Sequence, residues 1–355
     1  MTPNDREQKV TALIDKLCLT RKLKRGEWIT IIRERTPAAA EHLFELARAV
    51  RIHHYGHDIY IRGLIEFTNY CRNDCYYCGI RKSNANALRY RLSKEDILTC
   101  CKEGYRLGFR TFVLQGGEDG WFTDERLCDI VSAIRAQFPD CAITLSVGER
   151  SYDSYKRLYD AGADRYLLRH ETYDEKHYSR LHPPQLSASH RKQCLWNLKK
   201  IGYQVGTGFM VGSPYQTSEN LADDMLFLAK LNPQMVGIGP FIPHHETPFA
   251  RMPGGTAELT VYMLGLIRLL LPRVLLPATT ALGTIAEDGR EKGILAGANV
   301  IMPNLSPAQV REKYLLYDNK LCTGDEAAES LNHLRERMEK IGYHIAVSRG
   351  DSLNI

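Results

Sequence analysis

Cys71, Cys75 and Cys78 lie in the run Phe67-Thr-Asn-Tyr-Cys-Arg-Asn-Asp-Cys-Tyr-Tyr-Cys-Gly79 and form the only tight cysteine triad in the chain. A complete four-iron cluster takes four thiolates, so three closely spaced ligands with no obvious fourth imply a [4Fe-4S] cluster with one open iron, where chemistry would occur. Structural zinc sites instead use four ligands, usually in paired arrangements, and no second pair lies nearby. A disulfide framework fits poorly: the ten cysteines are spread over 355 residues with no secretory leader, which suits a reducing compartment.

Those cysteines need elements that hold them. Short apolar or β-branched runs at 59–67, 111–115, 142–147, 166–168, 205–211, 235–238, 275–280 and 299–302 alternate with amphipathic stretches. The helical patterns fall at 94–107, 125–137, 151–161, 190–201, 218–231 and 260–270. This βα alternation predicts an α/β protein built on a complete (β/α)8 TIM-type barrel. An N-terminal helical extension (1–50) precedes the barrel (51–317), and a C-terminal helical extension (318–355) with a helix at 325–341 follows it.

Composition excludes other classes. The hydrophobic and charged contents, 44% and 25%, are those of a globular chain with a large core. A net charge of +5 with dispersed basic residues gives no nucleic-acid footprint, the short run 21–25 reading as a solvated helix end. The most apolar stretch, 264–285, is interrupted by Arg268, Pro272, Arg273 and Pro277, so no membrane span is expected. The expected location is the cytoplasm, in an anaerobe, because an open cluster iron is oxygen-sensitive.

In such a barrel the site forms at the C-terminal strand ends. Polar and glycine residues collect there: Gln115 to Asp119, Ser146 to Glu149, Arg169-His-Glu171, Gly208 to Gly212, Gly237 to Pro240, Thr279-Thr280 and Pro303-Asn304. The histidine clusters His53/His54/His57 and His244/His245, the latter beside Glu246, lack helix-spaced ligand motifs and read as ordinary structural residues. The remaining cysteines read as small buried hydrophobes.

The C-x3-C-x2-C spacing with aromatic Tyr77, followed one strand later by Gly116-Gly117-Glu118, resembles the radical S-adenosylmethionine (SAM) superfamily. More discriminating blocks, Arg169-His-Glu-Thr172, Gly237-Ile-Gly-Pro-Phe-Ile-Pro243, Pro277-Ala-Thr-Thr-Ala281 and Gly297-Ala-Asn-Val-Ile-Met-Pro-Asn304, resemble the HydE family of [FeFe]-hydrogenase maturases over about residues 40–322. The resemblance implies that SAM binds the open iron and is reductively cleaved to a 5'-deoxyadenosyl radical. That radical acts in assembly of the diiron centre (H-cluster), on a small organometallic iron complex carrying CO, cyanide and cysteine. It assigns Tyr77, Gly116, Gly117, Glu118, Ser146, Glu171 and Arg191 to SAM, with the planar fork of Arg191 on its carboxylate. Outside that resemblance Arg191 reads as a surface ion-pair partner. Gln115, Thr144, Arg169, Thr279, Thr280, Tyr314 and Tyr317 are assigned to substrate, in an anion-tolerant lower cavity led by Arg169.

Transient contacts with other maturases and an electron donor are implied as well. Some relatives carry a second surface cluster on three further cysteines; here only Cys322 matches, so none is expected. The alternatives are a lysine mutase like methylornithine synthase and a non-enzymatic iron-sulfur carrier. Biotin synthase, also related, needs thiolates inside the barrel, where this chain offers Gln115, Thr144, Leu168 and Thr207.

Overall fold

The computed structural model describes residues 3–321 and 328–354. Three helices come first: α1 (Pro3–Thr20), α2 (Arg25–Arg33) and α3 (Pro37–Tyr55). Thr36 opens α3 by accepting from the N–H of Ala39, Pro37 occupies the first turn, and Gly56 ends the helix at φ 58°. Then follow β1 (Asp58–Ile61), β2 (Gly63–Thr68), α4 (Lys94–Arg106), β3 (Thr111–Gly116), α5 (Asp124–Gln137), β4 (Ala142–Ser146), α6 (Tyr152–Asp160) and β5 (Arg165–Leu167). Next come α7 (Glu175–Leu181), α8 (Ala188–Ile201), β6 (Gln204–Thr207), β7 (Met210–Val211), α9 (Ser218–Leu231), β8 (Met235–Val236), β9 (Gly239–Pro240) and α10 (Ala257–Leu270). The chain continues through α11 (Thr280–Ile285), α12 (Gly289–Leu295), β10 (Val300–Ile301), α13 (Ala308–Arg311), α14 (Leu331–Lys340) and β11 (His344–Ala346).

The six strands β2-β3-β4-β5-β6-β8 form one parallel sheet in that order. Short bridges close it into a ring: Val236 N–H to Leu275 O (3.0 Å), Ala278 N–H to Val300 O (2.9 Å) and Leu64 N–H to Pro303 O (2.9 Å). Positions seven and eight of the barrel are therefore the 275–277 and 300–304 segments. The crossover helices α4, α5, α6, α8, α9 and α10 all start at a Ser or Thr whose hydroxyl accepts a backbone N–H three residues on. Each such cap contributes about 1 kcal/mol and fixes where a strand-end loop must stop.

Several expected elements differ in detail. The run 59–67 is two strands that break at Arg62, and 205–211 breaks at Gly208, whose φ is 154° and whose Cβ would lie 1.9 Å from Gly237 O. No other residue fits that approach. The expected strand at 275–280 ends early because α11 starts at Thr280. The C-terminal extension is not purely helical: β11 pairs in parallel with β1, and the tail then crosses the N-terminal mouth, where Asp351 meets Arg165 at 2.6 Å. A three-residue, half-exposed strand is too short to show periodicity. α14 covers 331–340 of the expected 325–341 helix, while 325–327 and Cys322 fall outside the described residues.

The apolar stretch from 264 has a packing explanation. α10 is buried on almost every side because α1 and α3 cover the face that the barrel leaves open, so a helix apolar all round is a core helix here. Arg268 within it is buried and spends its guanidinium on the carbonyls of Gly297, Pro272 and Val274. Among the described residues no helix is long and apolar enough to cross a membrane.

Candidate active site

The segment between β2 and α4 carries Cys71, Cys75 and Cys78 and has little regular structure, so its shape rests on side-chain anchors. Asn69 donates to Leu88 O (2.9 Å) and Lys313 O (2.7 Å) and accepts from Tyr90 N (2.8 Å). Arg89 donates to the carbonyls of Ile80, Arg81 and Asn84 at 2.6–3.1 Å, gathering the turn that follows the last cysteine. The loop backbone is tied to three other elements through Arg72 N to Glu118 O, Tyr76 N to Leu181 O and Gly79 N to Leu316 O (2.8–3.0 Å). A Cβ on Gly79 would overlap Leu315 O and His244, which fixes glycine there.

The three thiols face one cavity. Backbone N–H groups point at the sulfurs, Asn73 to Cys71 Sγ at 3.4 Å and Ile80 to Cys78. Burial pushes the Cys78 thiol up to about 12. Thiolates in such surroundings need a cationic partner, and convergent thiols with N–H donors fit a cubane held on three corners.

The cavity has a volume of about 360 Å³ and lies inside the barrel at the C-terminal strand ends. It is lined by Cys71, Cys75, Tyr77, Cys78, Gln115, Gly116, Gly117, Glu118, Ser146, Arg169, Glu171, Arg191, Thr279, Thr280, Tyr314 and Tyr317. All the expected site residues are there except Thr144. Thr144 stands level with Arg165 in the β4–β5 register, below the cavity, on a separate void of about 10 Å³ shared with Arg62 and Arg165. Strand pleat and depth decided this, and neither is visible in a motif.

Two residues of the Gly-Gly-Glu motif have protein partners that the sequence did not suggest. A Cβ on Gly117 would lie 2.2 Å from Tyr70 O and 2.8 Å from Cys71 Cβ, so this glycine lets the cysteine loop sit on β3. Glu118 accepts from the N–H of Glu149 (3.0 Å) and pairs with Arg72 at 2.9 Å. Arg191 is buried, with Nε 2.9 Å from Glu149 Oε1, and is no surface residue. Burial opposes its charge, but the neighbouring Tyr178 and Glu149 outweigh that and hold the guanidinium ionised.

Tyr77 and the segment after β5 are set by buried histidines. His182 Nδ1 lies 3.0 Å from Tyr178 O, which only accepts, so Nδ1 carries the proton and Nε2 accepts from the Tyr77 hydroxyl at 3.0 Å. Burial holds His182 neutral, its pKa lowered to about 3. His170 bridges Thr207 (2.9 Å) and Asp224 (3.2 Å), while His177 bridges Thr172 and Pro214 O (3.0 Å each). These contacts pin both flanks of Glu171, whose φ is 64°. Strain of this kind persists only where surroundings over-determine it, and it turns the Glu171 side chain to within 3.1 Å of Arg169.

The floor contains polar groups the sequence reading did not single out. Glu66 and Lys320, both buried, pair at 2.6 Å; Asn304 donates to the other Glu66 oxygen (2.9 Å) and Lys320 donates to Tyr314 O (3.0 Å). A charged residue amid the apolar strand 64–67 was the available signal for Glu66. Lys320 had none, because it arrives from 254 residues away. Arg62 is fully buried, and its Nε and Nη2 have no hydrogen-bond partner; the same holds for Arg165 Nε and Thr144 Oγ1. Facing the cavity, Arg169 Nε and Nη2, Glu171 Oε2 and Thr279 Oγ1 also lack aligned hydrogen bonds. Buried polar atoms left open in this way are costly unless a ligand meets them. A zwitterionic, polyhydroxylated cofactor and a polar substrate fit that set.

Comparison with known proteins agrees with this geometry. The Radical SAM superfamily profile matches residues 65–228. The chain is 44% identical over 302 residues, 85% of its length and 86% of the relative's, to the [FeFe] hydrogenase maturase subunit HydE of Thermotoga maritima. It is 28% identical over 304 residues to the 3-methylornithine synthase of Methanosarcina acetivorans, covering 85% and 84% of the two chains. Among solved structures, methylornithine synthase (PylB) superposes with a TM-score of 0.83 at 26% identity, covering 94% of this chain and 97% of that one.

Proposed function

Because the chain belongs to the HydE family within the radical SAM superfamily, we propose that it is a radical SAM enzyme of [FeFe]-hydrogenase maturation. It works in the cytoplasm on a small anionic iron complex, in passing contact with other maturases and an electron donor. Cys71, Cys75 and Cys78 hold the [4Fe-4S] cluster. Tyr77, the 116–118 turn, Ser146, Glu171 and Arg191 hold SAM, and Gln115, Arg169, Thr279, Thr280, Tyr314 and Tyr317 face substrate. When bound, cluster and SAM supply an electron and a carbon–sulfur bond that breaks homolytically.

The protein's own part is orientation and exclusion of water. The barrel ring, with Tyr314, Leu316, Tyr317 and Lys320 lining the cavity, surrounds the reacting groups, and the buried histidines hold Tyr77 and Glu171 in one geometry. Arg191, paired with Glu149, presents a fixed cation to a carboxylate. Below the cavity, burial disfavours the charge of Arg62, which donates to Met235 Sδ at 2.7 Å. The observation that carries the reading is the convergence of the cysteine triad and thirteen other expected site residues, far apart in sequence, on one cavity.

A lysine mutase like methylornithine synthase is the second reading, and the higher identity to the HydE relative, 44% against 28%, favours the maturase. The test uses anaerobically reconstituted wild type and Cys71→Ser, Cys75→Ser and Cys78→Ser variants, with iron, sulfide, SAM cleavage and hydrogenase maturation measured together. Loss of all four readouts is expected. Wild-type iron and SAM cleavage in the variants would overturn the cluster assignment, and SAM cleavage without maturation in the wild type would overturn the substrate class. Absence of SAM cleavage by the reduced wild type would favour a carrier.

A further inference from the structure

Outside the cavity, Glu149, His190 and Cys194 bring a carboxylate, an imidazole and a thiol to one point beside a second cleft of about 510 Å³, lined in part by Glu149, His190, Arg150 and Ser154, with Cys194 buried behind them. His190 and Cys194 are one turn apart on α8, and Glu149 comes from the loop after β4. The three donor atoms lie within 4.8 Å of one another. His190 Nε2 is 3.4 Å from Glu149 Oε2 and 3.7 Å from Cys194 Sγ. Zinc bonds of about 2.0–2.1 Å to nitrogen, 2.0–2.2 Å to oxygen and 2.3 Å to sulfur give tetrahedral edges of about 3.4 Å (N···O) and about 3.6 Å (N···S). The two separations from His190 match those edges, and the Glu149 and Cys194 donor atoms lie within 4.8 Å of each other.

We propose that Glu149, His190 and Cys194 form a binding site for a divalent zinc-class ion, with the fourth position open to the cleft. A thiolate and an imidazole select a borderline-soft ion over magnesium or calcium. Binding breaks the Cys194 S–H bond, forms the metal–sulfur bond and releases the proton to solvent. Glu149 divides its oxygens: Oε2 faces the site and Oε1 faces Arg191, where at 2.9 Å it makes a contact without hydrogen-bond alignment. An ion here would tie the β4 loop to α8, the helix that carries Arg191. The site does not depend on the cluster assignment.

The experiment adds Zn²⁺ to the cluster-loaded full chain under anaerobic conditions, then measures zinc and iron per chain after gel filtration and records the zinc K-edge absorption fine structure. One zinc per chain is expected, with a single sulfur neighbour. His190→Ala, at an exposed position that leaves the core intact, weakens zinc affinity by about tenfold or more, and Cys194→Ala removes the sulfur signal; iron stays at the wild-type level in both. Failure of wild type to retain zinc overturns the proposal. So do unchanged affinity in both variants and a three-sulfur shell, which would place zinc on the cluster cysteines.

Discussion

Replacing Lys320 with methionine removes one half of an ion pair whose side chains are 6% and 0% exposed. Glu66 would keep its hydrogen bond from Asn304 at 2.9 Å but lose the cationic partner that stands 2.6 Å away. Breaking a buried pair from one side costs about 3–5 kcal/mol, far more than the net value of the pair itself, because the remaining charge stays desolvated. For a chain of this size each kcal/mol lowers the melting temperature by about 2 °C, so Lys320→Met is expected to melt roughly 6–10 °C lower. Glu66→Gln should cost a similar amount through the stranded ammonium. The double variant Glu66→Gln/Lys320→Met should be more stable than either single variant, with a coupling of about 2 kcal/mol or more. The assay is thermal unfolding of the four proteins by circular dichroism, anaerobic and at matched iron content. A Lys320→Met shift corresponding to under about 1 kcal/mol, or strict additivity in the double variant, would refute the argument that this pair sits in a low dielectric.

Arg169→Gln removes a cation that faces the cavity 3.1 Å from Glu171. A charge-assisted contact of about 1.5–3 kcal/mol predicts that maturation falls roughly tenfold or more, while SAM affinity, measured by calorimetry, falls much less. Untouched maturation, or collapse of SAM affinity, would remove Arg169 from the substrate side. His182 has its pKa lowered from 6.5 to about 3 by burial, so its unfolded form binds a proton that the folded form does not. Stability contributed this way is present above about pH 6.5 and is lost as pH falls toward 3, at about 1.4 kcal/mol per unit. In urea titrations at pH 7.5 and 5.5, His182→Gln should lose less stability over that interval than wild type; equal losses would show that His182 titrates normally.

The sequence alone determined the chemistry and the order of parts. Three closely spaced cysteines with no obvious fourth imply an open iron, and the alternation of β-branched runs with amphipathic helices is a local pattern that reports a parallel barrel. Since a barrel's strand ends share one rim, the polar residues at those ends could be placed together from sequence. Depth and pairing were settled only by tertiary structure. Thr144 and Ser146 differ by two residues on one strand, yet one faces a lower void and the other the cavity, because register fixes height along the barrel. Arg191 looked like a surface residue until Glu149, from another loop, met it in the interior. The Glu66–Lys320 pair joins residues 254 apart, and β11 exists only because β1 offers it an edge. Periodicity within a segment carries no information about such partners; they follow from which segments the closed ring brings side by side.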